Sequence, residues 1–132
     1  MVSYEWVETF ALRLPETTSS PSYHNSPALR VNKKMLTRLL VEMAADHDAT
    51  TQAAYGEILM LKVADLGEKE ALLASEPQVF FTVPHYDGYP AVLIRLAAID
   101  QVEIQELILE SWMNLAPQRA LRAYEERFGP LP

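Results

Sequence analysis

Residues 81–96 of this 132-residue chain, FTVPHYDGYPAVLIRL, contain the end of one apolar run, a turn and a second apolar run. Apolar runs over Val79–Val83 and Ala91–Ala98 are typical of buried strands. Between them, Asp87-Gly88 supplies a tight turn, and a proline at each end of the connection limits strand pairing there. The stretch therefore predicts an antiparallel hairpin whose long tip spans residues 84–90.

Three more strands are predicted upstream of this hairpin. Ala28–Val31 and Met35–Val41 flank Asn32-Lys33-Lys34, and an Asn that opens a turn between two apolar runs indicates a second hairpin. Ile58–Val63 is apolar on both faces, which is typical of a central strand covered by helices. The chain is therefore expected to form a mostly antiparallel sheet of about five strands.

Capping residues and apolar stripes at three- and four-residue steps predict helices around these strands. The predicted helices are Tyr4–Leu14 after Ser3, Leu66–Ser75 after Asp65, a helix from Asp100 to Leu115, and Pro117–Phe128. Leu66, Leu72 and Leu73 are expected to form the buried side of the second helix. Trp112 and Tyr124 are expected to anchor the core, because aromatic residues dominate burial. An N-terminal helix, one mid-chain helix and a C-terminal helical pair with this sheet indicate the α+β class.

Two segments show neither the apolar runs of the predicted strands nor the apolar stripes of the predicted helices. Pro15–Pro27 holds three prolines and many Ser and Thr residues, so a surface loop is predicted. Glu42–Gly56 is small and polar, which indicates a mobile loop or one short helical turn.

Length and composition predict a single domain over residues 1–132, with 49% apolar residues to fill one core. No run approaches the roughly 18 apolar residues that a membrane helix needs. The first six residues contain an acid and no basic region, so no signal peptide and a cytoplasmic location are predicted. Without cysteine, the chain has no disulfide, thiolate nucleophile or cysteine metal site.

The net charge of −7 repels polyanions at long range and weighs against nonspecific nucleic-acid binding. The charges are segregated along the chain, however. Acids cluster at Asp46–Asp48, Glu68–Glu76 and Asp100–Glu110, whereas a compact basic stretch contains Arg30, Lys33, Lys34 and Arg38.

Several motifs occur together in a characteristic order. They are Leu14-Pro15-Glu16 after the first helix, the hairpin Leu29–Met35, the segment Phe81–Leu96, and Trp112 followed by Ala116-Pro117-Gln118-Arg119. Over nearly the whole chain this pattern resembles the MmcQ/YjbR family. The resemblance implies a compact, CyaY-like α+β fold with a double-wing arrangement, and it implies DNA binding.

Five cations are the candidate nucleic-acid-binding residues: Arg30, Lys33, Lys34, Arg38 and Arg95. A hairpin can present such side chains to phosphates as a wing does. The alternative is ordinary solvated charge that protects a sheet edge from aggregation. Arg119, Arg122 and Arg127 could extend this surface. The relative faces of Arg30 and Arg38 stay open, because they depend on whether the turn has two or three residues.

The hairpin tip provides a second candidate site, formed by His85, Tyr86, Asp87 and Tyr89. An imidazole, a carboxylate and two phenols on a proline-bounded loop can hold a ligand. The alternative is that both tyrosines shield one end of the core.

No catalytic, metal or cofactor site is predicted. The chain contains no nucleophile elbow and no phosphate-binding glycine motif. Asp46-His47-Asp48 and His24 lack the ligand spacing of rigid metal sites, so Asp46–Asp48 is expected to be a solvated acidic loop, and Glu103 and Glu106 are expected on an exposed helix side. The sequence therefore predicts a non-enzymatic binding module with DNA as partner, or alternatively a protein-interaction or small-ligand domain that uses the tip.

Overall fold

A six-stranded antiparallel sheet organises the structure, a computed structural model that describes residues 1–22 and 25–132. His24 lies outside the described residues. The strands of the sheet are β1 (Thr17–Pro21), β2 (Pro27–Val31), β3 (Lys34–Leu39), β6 (Ile58–Lys62), β8 (Ala91–Arg95) and β7 (Phe80–Phe81), in that spatial order. A separate two-stranded ladder joins β4 (His47–Asp48) to β5 (Ala53–Ala54). The helices are α1 (Tyr4–Ala11), α2 (Leu66–Ser75), α3 (Gln101–Leu115) and α4 (Gln118–Phe128). The predicted α+β class is confirmed, with one strand more than expected.

Local capping signals set the starts of three helices. The Ser3 hydroxyl accepts a hydrogen bond from the Trp6 amide, and the Asp65 carboxylate accepts one from Glu68. Asp100 accepts bonds from the amides of Val102 and Glu103. Each cap satisfies amides that have no partner within the helix, so these predicted starts are confirmed.

One face of the sheet packs against the helices and forms the main core. Side chains of the central strands contact α1 and α3 there, and Trp112 is completely buried. Its indole nitrogen donates a 3.0 Å hydrogen bond to the carbonyl of Pro15. Tyr124 is half-buried beside it, with ring centroids 5.5 Å apart. On α2 the expected burial of Leu66 is wrong, because its side chain is 45% exposed, whereas Leu72 and Leu73 do pack against this core.

The opposite face of the sheet carries a smaller core and is covered by two loop segments. Its buried apolar residues are Leu40, Ile58, Met60, Tyr86, Ala91 and Leu93. Met43 and Tyr55 from the segment 41–56 pack on this cluster, as does Val83 beside the tip. Among the described residues, none from α1 to α4 belongs to this cluster. The hairpin tip packs on this second face through Tyr86.

Two loop predictions are corrected by the structure. Pro15–Pro27 contains β1, which pairs with β2 throughout its length. The sequence of β1 is polar because it is an edge strand with only Thr17 buried, and edge strands tolerate proline. Glu42–Gly56 contains the β4–β5 ladder, and a short 3₁₀ turn at Val41–Met43 accounts for the helical turn that was considered.

Among the described residues, no helix is long and apolar enough to cross a membrane.

Candidate functional site

The β2–β3 hairpin places Arg30 and Arg38 on the same face of the sheet. Its turn has two residues, Asn32 and Lys33, both with positive φ. A bulge follows in β3, because Arg30 pairs with Met35 whereas Leu29 pairs with Thr37. The extra residue reverses the alternation of side chains beyond it. Arg38 therefore lies on the second face with Arg30, which settles the question that the turn length left open.

Arg38 is buried and holds three segments together. Its guanidinium donates to both carboxylate oxygens of Glu42, at 3.2 and 2.8 Å, and to the hydroxyl of Ser26 at 3.0 Å. A further bond of 3.3 Å reaches the Tyr86 hydroxyl in the tip. With 6% exposure, Arg38 does not lie on an open surface that could contact phosphates, as the nucleic-acid prediction required. It fixes the segment after β3 and the tip to the sheet.

Arg95 has a similar role at the other end of the second face. Its guanidinium donates to the Asp48 carboxylate at 2.6 and 3.1 Å, and to the carbonyls of Pro77 and Gln78. The guanidinium carbon also lies 4.2 Å from the ring centroid of Phe81. Both partners of the ion pair are at most 6% exposed at the side chain. Arg95 is therefore buried in an ion pair rather than presented on an exposed surface, and the expectation that Asp48 is solvated is wrong.

The hydrogen bonds from Arg95 are the main reason that the pKa of Asp48 lies below its ordinary value. Burial opposes this shift, and the amides of Thr50 and Thr51 add to it. Asp48 is thus held ionised inside the protein, where it ties the β4–β5 ladder to β8.

Lys69 on α2 anchors the tip from behind. Its Nζ donates to the backbone carbonyls of Tyr86 at 2.6 Å and of Tyr89 at 2.9 Å, and the residue is 5% exposed. No carboxylate pairs with Lys69 among the ion pairs of the described residues. Sequence reasoning missed this residue, because a lysine in an acidic helix is normally solvated. The two carbonyls lie in a non-repetitive turn, so no local pattern indicates them.

The hydrogen bonds of Arg38 and Lys69 hold the tip above the sheet. A cleft of about 480 Å³ lies between the tip and the strands of the second face. Met35, Arg38 and Met60 line it from the sheet, together with Ser22 after β1. The tip supplies the other wall, with residues His85, Tyr86, Asp87, Gly88 and Tyr89. All four predicted tip residues therefore lie in one cleft, and Arg38 joins them. The methionines and Ser22 come from distant parts of the chain and were not predicted.

Aromatic contacts shape the outer wall of the cleft. The His85 ring meets Tyr86 edge-on with centroids 5.0 Å apart, and Tyr89 lies 6.1 Å from Tyr86. Gly88 has φ of 73°, which an L side chain rarely adopts, and this conformation turns the chain between Asp87 and Tyr89. Tyr86 is buried whereas Tyr89 is 39% exposed. Tyr86 therefore forms part of the buried framework, whereas the Tyr89 ring is accessible to solvent at the cleft.

Two cations, Lys62 and Arg30, lie beside residues that line the cleft, and Asp87 is an acid within the lining. The Lys62 Nζ lies 4.5 Å from the centroid of the Tyr89 ring and 3.5 Å from its hydroxyl. Arg30 is half-buried opposite Met35, and Asp87 is exposed on the tip. None of these three forms an ion pair with another residue within 1–22 and 25–132.

Four of the remaining predicted cations lie at a different place, which we call the basic end: Lys33, Lys34, Arg119 and Arg122. Arg127 lies in the last turn of α4, where it donates to the carbonyl of Arg13. Lys33 and Lys34 are exposed at the β2–β3 turn. Arg119 on α4 pairs with Glu16 at 2.6 Å, and a 3.5 Å contact with Asn32 joins α4 to that turn. Arg122 follows one helical turn later. The five predicted nucleic-acid residues are therefore divided between the second face and the basic end.

A pair of carboxyl groups bridges α2 and α3 on the helical side. A hydrogen bond between Glu103 and Glu76 is the largest cause that raises the pKa of Glu103 to about 7, with further contributions from burial and nearby acids. Glu110 and Glu68 form a second such contact, and the pKa of Glu110 is raised chiefly by burial. Glu103 is thus half-buried rather than on a fully exposed side, whereas Glu106 is exposed as expected.

A second cavity of about 360 Å³ lies between α1, α3 and α4. Phe10, Leu109, Tyr124 and Phe128 give it a largely apolar lining. Arg13, Gln105 and Glu106 also line it. The cleft beside the tip is the stronger candidate, because the buried cations Arg38 and Lys69 fix its walls. Within the described part of the chain, no group of three or more His, Asp or Glu side chains could hold a metal ion.

Comparisons with known proteins place the chain in a family. The YjbR family model matches residues 12–114. Uncharacterised proteins of Mycobacterium tuberculosis and Mycobacterium bovis are each 43% identical over 104 residues, which covers 76% of this chain and 81% of theirs.

A solved structure shows the same fold. The crystal structure of a Deinococcus radiodurans protein with a DUF419 domain superposes with a TM-score of 0.68, covering 99% of this chain and 91% of that one. At 18% identity, this likeness bears on the fold alone. The family match and the fold agree with the resemblance inferred from the motifs, and the chain belongs to the YjbR family.

Proposed function

We propose that this protein is a non-enzymatic binding module and that its ligand site is the cleft between the tip and β3–β6. The main support for the proposal is that hydrogen bonds from buried side chains fix the tip, which forms one wall of the cleft. Arg38 and Lys69, both buried, bond directly to tip residues. A preformed site avoids much of the ordering cost that binding otherwise incurs.

The size and lining of the cleft support a small ligand. Its volume of about 480 Å³ falls within the roughly 300–1,000 Å³ that is usual for small-molecule sites. Met35 and Met60 provide an apolar floor that adapts to the shape of a ligand. Tyr89 offers a partly exposed ring at the opening, and polar groups at Ser22, His85 and Asp87 can fix orientation.

Methionine-methyl NMR tests this proposal with controls that the chain itself supplies. The protein has five methionines, Met1, Met35, Met43, Met60 and Met113. Only Met35 and Met60 line the cleft. In a screen of small-molecule fragments, we expect hits that shift these two methyl signals and leave Met1 and Met113 unchanged. A screen in which every hit spares Met35 and Met60 contradicts the proposal.

A second function, nucleic-acid binding, is favoured by the basic end. The contact between Arg119 and Asn32 brings an α4 cation beside Lys33 and Lys34. Neutralising phosphates with such side chains releases counterions, so this binding must weaken steeply with salt.

Fluorescence anisotropy with labelled single- and double-stranded DNA tests the second function. We expect Lys33→Glu with Lys34→Glu to abolish salt-sensitive binding, whereas Lys62→Glu beside the cleft leaves it largely intact. Arg38 is unsuitable for this test because it is itself buried and its substitution disrupts the hydrogen bonds that it makes to Glu42, Ser26 and Tyr86. Equal losses from both variants, or no binding at low salt, would contradict a role for the basic end.

A further inference from the structure

The charge of the cleft differs in sign from that of the whole protein. Four cations line it or contact its lining residues. Arg38 lines it directly, Arg30 pairs with Met35 across the strands, Lys62 contacts the Tyr89 ring, and Lys69 bonds to two tip carbonyls. The carboxylates in the corresponding positions are Asp87, which lines the cleft, and Glu42, which pairs with Arg38. Within residues 1–22 and 25–132, four cations against two carboxylates leave an excess of two positive charges at the cleft, on a protein whose net charge is −7.

The position of these cations matters as much as their number. The charge of Arg38 is balanced by Glu42 at 2.8 Å. Arg38 therefore stabilises the walls of the cleft and adds little to its positive potential. Among the described residues, Lys69 is buried with carbonyl oxygens as its hydrogen-bond partners and forms no ion pair. No carboxylate there therefore neutralises its charge directly. Arg30 on β2 and Lys62 on β6 lie on the two strands that flank β3, which carries the lining residue Met35. A concave site with low-dielectric walls concentrates such a field.

The apolar part of the lining selects the shape of the ligand. Met35 and Met60 lie on the sheet side of the cleft, and Tyr86 and Tyr89 lie on the tip side. Thioethers and aromatic rings both pack favourably against a flat ring. The depth of the cleft thus suits a planar apolar body, and its opening suits an anionic group.

We propose that the cleft takes a small organic anion with a planar apolar body, its charged group held at the opening by Lys62 and Arg30. This inference rests on the proposed function, since it names the ligand class of the same site. Asp87 lines the tip side of the cleft, where its carboxylate would repel an anion. The anionic group is therefore expected on the sheet side, beside Lys62 and Arg30.

Three probes with one ring system and different charges test the ligand class: naphthoate, naphthylmethanol and naphthylmethylamine. Each is titrated into the protein while the methyl signals of Met35 and Met60 are followed. We expect naphthoate to bind about tenfold more tightly than the amine, with the neutral alcohol between them. The advantage of naphthoate should shrink as ionic strength rises.

Two variants test which side chains cause the preference for naphthoate over the neutral alcohol. Lys62→Gln with Arg30→Gln should reduce naphthoate affinity to that of the alcohol, without changing the affinity for the alcohol itself. Arg122→Gln, the same change at the basic end, should alter neither.

The outcomes separate this inference from the proposed function. If the amine or the alcohol binds in the cleft as tightly as naphthoate, the ligand class is wrong and the cleft remains the site. If none of the three probes shifts Met35 or Met60 although other fragments do, the ligand class is wrong and the cleft remains the site. If no fragment shifts them either, the proposed function is contradicted as well.

Discussion

Replacing Asp48 by alanine leaves the Arg95 guanidinium buried without its carboxylate partner. The side chain of Arg95 is 6% exposed and that of Asp48 is 2% exposed, so water cannot take the place of the carboxylate without rearrangement. Removing one partner of a buried ion pair costs about 3–5 kcal/mol. For a chain of this length, that loss lowers Tm by roughly 10–20 °C, given about 2.1 cal/mol/K of unfolding entropy per residue.

Asp46 provides a matched control for this prediction. It lies two residues away and is exposed, so Asp46→Ala should change the free energy of unfolding by less than about 0.5 kcal/mol. The assay is urea unfolding followed by tryptophan fluorescence, with thermal unfolding as a second measure. The double variant Asp48→Ala with Arg95→Met should lose less than the sum of the single losses, with a coupling of about 2 kcal/mol or more.

The pH dependence of the same pair has a definite sign. Because the hydrogen bonds from Arg95 lower the pKa of Asp48 in the folded state, its contribution to stability is present above its ordinary pKa and is lost as pH falls through the folded value. Asp48→Ala should remove that part of the acid sensitivity. If Asp48→Ala costs no more than Asp46→Ala at neutral pH, the reasoning about the buried pair is refuted.

Three other predictions follow from buried or paired groups. Lys69→Met should cost about 2–4 kcal/mol, because two carbonyls lose a charged donor; amide hydrogen exchange in the tip should rise more than elsewhere, and a uniform rise would count against a specific anchor. The hydrogen bond to Glu76 raises the pKa of Glu103 to about 7 in the folded protein. The stabilising contribution of protonated Glu103 is therefore present below pH about 4.5 and is lost as pH rises through about 7. Glu76→Gln should flatten the dependence of Tm on pH, and an unchanged profile would show that the two carboxyls do not interact. Trp112→Phe should cost about 2–3 kcal/mol by removing buried volume and the hydrogen bond to Pro15, and urea unfolding that shows a loss below 1 kcal/mol would contradict its place in the core.

The parts of the fold that local signals determine could be predicted from the sequence. Ser3, Asp65 and Asp100 mark helix starts because each cap acts within three residues of itself. The Asp-Gly pair marks the tip for the same reason. Strand β1 (Thr17–Pro21) was missed because an edge strand with one buried residue has no apolar alternation.

The site could be predicted only in part, because its framework depends on distant contacts. The tip residues share one short segment, so their chemistry was visible in the sequence. Each buried cation bonds to a residue far away in the sequence. Arg95 and Asp48 are 47 residues apart, and Lys69 and Tyr86 are 17 apart. A charged residue with such a partner has the same local pattern as a solvated one. The bulge in β3, which brings Arg38 to the cleft, likewise has no clear sequence signal.

The most direct test of the central claim compares naphthoate binding by the natural protein with binding by a His85→Ala, Tyr89→Ala variant. These side chains line the cleft and are exposed, so their loss should leave the fold intact, which the unfolding midpoint checks. With the methyl signals of Met35 and Met60 as the readout, we expect at least about tenfold weaker binding by the variant. Equal affinity in a folded variant would contradict the assignment of the cleft as the binding site.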